Sequence, residues 1–161
     1  MKRRETVFSI TENGNTRCGV TRHYAGLGGF TQRLIKNEVD PASYTARLFL
    51  KPDRVSEISR EEFDAYVDDY DNVDRVRAII EVDVDANTIR ADEEIFAGRQ
   101  YREYPLDLLM EKASLLRKPG TNYIGRERIY YEMDSSMRQL ARQAEQQGQQ
   151  EQQSGTVTMQ M

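Results

Sequence analysis

The sequence predicts an α+β domain: a small antiparallel sheet built from two hairpins, packed with an internal acidic helix and two C-terminal helices. Three observations predict it. Alternating segments flank Asn13-Gly14 and Asp85-Ala86-Asn87, the pattern of half-buried strands joined by tight turns. Ser59 is followed three residues later by Glu62, a capping box, with Phe63, Tyr66, Val67 and Tyr70 at helical spacing behind it. Apolar residues recur at intervals of three and four in the last third of the chain.

Taken in order, Thr6 to Thr11 places Phe8 and Ile10 on one face and Val7 and Ser9 on the other. Asn13-Gly14 supplies a turn in which both residues accept positive φ, so Arg17 to Tyr24 is the returning strand. Gly26-Leu27-Gly28-Gly29 reads as a breaker before a short helix carrying Phe30, Leu34 and Ile35, stopped by Asp40-Pro41. Tyr44 to Leu50 alternates as a third strand would and ends at Pro52. A helix over about residues 60 to 70 follows the capping box. Arg75 to Val84 and Thr88 to Phe96 form the second hairpin. Pro105 opens a helix striped with Leu106, Leu109, Met110, Ala113 and Leu116, and Pro119-Gly120 closes it. The last helix, Gly125 to Gln147, carries Ile129, Met133, Met137, Leu140 and Ala144 along one seam. The organisation is thus a body over 1–120, an amphipathic helix over 121–147 and a flexible glutamine-rich tail over 148–161, since seven of the eleven residues from Gln143 to Gln153 are glutamine.

With 161 residues there is room for one core, and 34 Leu, Ile, Val and Phe residues make it a small one. The net charge of -4 argues neither for a nucleic-acid binder nor for an acidic tail protein. It is unevenly spread: residues 1–54 carry +5, residues 55–98 carry -10 and residues 99–161 carry +1. No apolar run is long enough for a membrane span, and Met1-Lys2-Arg3-Arg4 leads into a strand pattern instead of an apolar signal core, so a cytoplasmic protein, or one within an intracellularly assembled particle, is expected. One cysteine and one histidine support neither a disulfide nor an ordinary zinc site, and the odd spacing of Cys18 and His23 puts them on opposite strand faces. No cofactor is expected.

Four constellations are candidates for function. The acidic helix and the C-terminal seam offer partner-binding residues Glu61, Asp64, Asp68, Asp71, Met133, Met137 and Leu140, suited to a basic protein and to a second copy of the chain. Gly26, Gly28 and Gly29 with Arg33 lie between strand and helix, where backbone amides cradle anions, although neither nucleotide-binding glycine signature is present. Asp83, Asp85, Asn87 and Glu94 match four oxygen positions of a calcium-binding loop, but Thr88 stands at its glycine position. Tyrosines 101, 104, 123, 130 and 131 interleave with Arg99, Arg102, Arg126 and Arg128, a stacking and guanidinium mixture opposed by Glu103, Glu127 and Glu132. The reading that takes in most of these features is a non-enzymatic accessory or assembly protein acting through protein contacts, of the kind viruses and mobile elements encode. The alternatives are a small enzyme or nucleotide-binding protein using Gly26 to Gly29, and a nucleic-acid module using residues 99–131.

Overall fold

The computed structural model describes residues 5–23, 26–36, 43–49, 54–70, 75–95, 98–116 and 126–160. Asp71, Tyr123 and the Asp40-Pro41 and Pro119-Gly120 stops lie outside them. The chain folds as α+β around one mostly antiparallel six-stranded sheet.

β1 (Glu5–Glu12) and β2 (Asn15–Thr21) form the first hairpin, with positive φ at Asn13 and Gly14. The chain then passes through α1 (Gly26–Lys36), α2 (Tyr44–Phe49), the short β3 (Ser56–Ile58) and α3 (Arg60–Asp68). It returns as a meander of β4 (Val76–Asp83), β5 (Thr88–Ile95) and β6 (Gly98–Pro105), followed by α4 (Leu106–Leu116) and α5 (Arg126–Gln160). The sheet order is β3-β2-β1-β4-β5-β6, and β1 lies parallel to β4. Two isolated hairpins therefore understate the sheet: a short edge strand extends one, a third antiparallel strand extends the other, and a parallel crossover joins them. Residues 99 to 105 pair with β5 as β6.

Tyr44 to Phe49 is a helix and not the expected strand. The Glu12 carboxylate accepts from the amides of Tyr44 (3.0 Å) and Thr45 (3.1 Å), and the Ser43 hydroxyl accepts from Ala46 N, so the first turn is capped from β1 and from its own N-terminus. Gly26 to Gly29 is likewise no loop: it forms the first turn of α1. The glutamine-rich segment read as a tail continues the backbone of α5 as far as Gln160.

The alternation read in β1 holds. Phe8 and Ile10 join Ile80, Val82, Ile89 and Tyr104 on the face covered by α1, α2, α4 and α5. Val7, Cys18 and Ile79 face α3, which seals them with Phe63, while Tyr70 just beyond the helix completes the cluster. Towards β6 the same face is polar, with cross-strand pairs Arg90–Glu103 and Arg99–Asp92.

Candidate functional site

Antiparallel pairing of β1 with β2, and of β2 with β3, brings the start of β1, the end of β2 and the start of β3 to one end of the sheet. Parallel pairing adds the start of β4. An open cleft of about 370 Å³ lies there, with Arg22, His23, Arg54 and Arg75 among the residues that line it. Its base is Glu5, a carboxylate only 7 % exposed that lies 3.5 Å from Arg75 Nε and 3.7 Å from an Arg22 terminal nitrogen. The Thr21 hydroxyl donates to the carbonyl of Arg54 (2.7 Å) and accepts from His23 N (3.1 Å), fixing the backbone on both sides of the opening. Arg75 also donates to Tyr66 Oη (2.8 Å) and lies over the Tyr66 ring, so one wall is held by a residue of α3.

Sequence inspection missed this cluster because its arginines are far apart in the chain. A signal was present: each arginine stands within two residues of a strand end, and strand ends gather where the topology turns.

The residues singled out from sequence fall as follows. Glu61, Asp64 and Asp68 are exposed on α3, with Asp64 ion-paired to Arg60 (3.2 Å). Met133 is fully buried in the main core and Met137 packs against that core, so neither offers a free surface, whereas Leu140 is 47 % exposed. Beyond Met137, every residue of α5 from Arg138 to Gly148 is exposed.

The calcium-like residues clasp the fold. Asp85 accepts from the amides of Asn13 (2.8 Å) and Gly14 (2.9 Å), joining the two hairpin turns. Asn87 accepts from Asp107 N (2.9 Å) at the start of α4, and Asp83 accepts from Ala86 N within its own turn. Glu94 lies opposite Arg99 near the other end of β5. Among the described residues, no three His, Cys, Asp or Glu side chains are grouped to hold a metal ion.

The amides at the start of α1 have protein partners. Gly26 N donates to the Thr6 hydroxyl and Leu27 N to Glu93 Oε2, both at 3.2 Å. Glu93 is fully buried, and its Oε2 also accepts from Tyr130 Oη of α5 (2.8 Å). A carboxylate of the protein thus occupies the place an external anion would take. Burial raises the Glu93 carboxyl above the usual range, and the Tyr130 and Leu27 hydrogen bonds pull against that rise. Arg33 is buried in the same helix.

The tyrosine and arginine region is divided. Tyr101 and Tyr131 are exposed, while Tyr104 and Tyr130 are buried, and Asp134 binds both Tyr104 Oη (2.7 Å) and Arg102 Nε (3.4 Å). Cys18 is buried beneath α3, which pushes its thiol up and makes it a poor nucleophile.

Comparison with protein-family models, with curated proteins and with solved structures gives no match.

Proposed function

We propose that this chain is an accessory or assembly protein acting through protein contacts, with α5 as the main contact element and the acidic face of α3 as a second. The observation that carries the reading is the exposed stretch of α5. From Arg138 to Gly148 the helix leaves the body and no side chain is buried. A helix of that length that packs on nothing is marginal in water, because most helical stability in proteins comes from a buried face. The seam that begins with Ile129 and Met133 in the core continues through Met137 and Leu140 to Ala144. A second copy presenting the same seam gives Leu140 and Ala144 an apolar neighbour and supplies the missing face.

The test is the mass of the full chain in solution over a range of concentrations, measured by light scattering alongside far-ultraviolet circular dichroism. A dimer that dissociates on dilution with loss of helical signal is the expected result, and Leu140→Asp should give a monomer with an intact body. A monomer at every concentration with unchanged helicity would remove α5 as a self-contact.

A further inference from the structure

We propose that the cleft at the Glu5 end of the sheet binds a phosphate monoester of nucleotide size, its phosphate held by Arg22, Arg54 and Arg75. This site is independent of α5 and of the acidic face. In a chain of net charge -4, three guanidinium groups from positions far apart in sequence converge on one cleft. Among the described residues, one carboxylate, Glu5, lines the cleft with them. At 3.5 and 3.7 Å from Arg75 and Arg22, Glu5 is beyond good hydrogen-bond length, so it orients these forks without saturating five N–H donors on each. Arg54 has an exposed side chain and makes no ion pair among the described residues.

Several planar forks around one point suit an oxyanion with three acceptor oxygens better than a carboxylate with two. The volume of about 370 Å³ falls within the range of small-molecule sites, roughly 300–1,000 Å³. The remaining wall is suited to a ring: Val20 and Ile58 are apolar, and Tyr66 is an aromatic already engaged on one face by Arg75. The Ser56 hydroxyl adds a neutral polar contact at the rim. The Gly26 to Gly29 turn, a candidate anion site by sequence, is closed by Glu93, whereas this cleft is open.

The test is calorimetric titration of the full chain with adenosine monophosphate, inorganic phosphate, adenosine and a single-stranded oligonucleotide at moderate salt. The monophosphate should bind with a dissociation constant below about 1 mM. Phosphate should bind more weakly and adenosine more weakly still. Arg54→Ala should weaken the monophosphate by about tenfold or more with no change in melting temperature, and Arg22→Ala should do likewise. Absence of monophosphate binding at millimolar concentration would overturn the proposal, as would binding that survives the Arg22→Ala and Arg54→Ala double substitution. Inorganic phosphate binding as tightly as the nucleotide would overturn the assigned ligand size. Oligonucleotide binding without monophosphate binding would overturn it in favour of a nucleic-acid surface.

Discussion

Two strand carboxylates, Glu12 of β1 and Glu93 of β5, hold helix N-termini in this fold, and they carry opposite pH dependences. Glu12 reaches from β1 to α2; burial alone would raise its carboxyl, but the Ser43 hydroxyl and the Thr45 and Tyr44 amides together hold it below the usual range. Its contribution is present above the ordinary carboxylate range and is lost as pH falls through the folded value. Glu93 is raised by burial, so the native state holds its proton more tightly than the unfolded chain does. That contribution is fully present below the ordinary range and is lost as pH rises through the folded value. Glu93→Gln keeps an oxygen for Leu27 N and Tyr130 Oη but cannot ionise. It should therefore abolish the loss of stability on going from acid towards neutral pH, which urea denaturation at a series of pH values would show. Glu93→Ala leaves two buried donors unpaired and should cost about 2–4 kcal/mol. Gly26 is bound to this carboxylate sterically as well: its φ is +75°, and a Cβ there would overlap Glu93 Oε1. Gly26→Ala should destabilise the fold by more than the roughly 1–2 kcal/mol of the backbone conformation alone, measured by the same denaturation. Within the glycine cluster that resembles a ligand loop, Gly26 is thus required by the approach of the Glu93 side chain from a distant strand.

At the scale of elements, the structure bears out what sequence predicts where the determinants are local. The Ser59 and Glu62 capping box forms as read, with Glu62 N donating to Ser59 Oγ (3.1 Å) and the Glu62 carboxylate accepting from Ser59 N (3.4 Å). Asn13-Gly14 turns the chain with positive φ, and the stripe of Leu106, Leu109 and Ala113 is buried. The failures have a common physical origin. Tyr44 to Phe49 alternates like a strand, but Glu12 caps it as a helix from 32 residues away. Arg75 joins Arg22 and Arg54 in the arginine cleft because β1 and β4 run parallel, a pairing no local pattern encodes. Ser59→Ala should cost about 1 kcal/mol, read as a lower melting temperature. Reversal of Glu61, Asp64 and Asp68 to Lys should leave the fold nearly unchanged, since these side chains are exposed and Asp64 has only a surface pair. If α3 steers a basic partner, the triple reversal should slow association severalfold at low salt and much less at high salt, a difference stopped-flow mixing would register.

For the whole molecule, α5 belongs to two environments, and the boundary between them lies near Met137. Ile129, Tyr130 and Met133 are core residues shared with α1 and α4, and Tyr130 also closes the hydrogen-bonded link from α5 through Glu93 on β5 to the first turn of α1. From Arg138 to Gly148 every residue of the helix is exposed. Two truncations separate these roles. A chain ending at residue 125 loses three large buried side chains worth about 1.5–3 kcal/mol each, a sum comparable to the whole stability of a small domain. It should fail to fold cooperatively. A chain ending at residue 137 keeps all three and the Tyr130–Glu93 bond, so its melting temperature at low concentration should stay within a few degrees of the full chain. The same chain should lose self-association entirely, because Leu140 and Ala144 are gone. A full-chain mass that persists after truncation at 137 would move the contact surface back onto the body, where the exposed face of α3 becomes the remaining candidate.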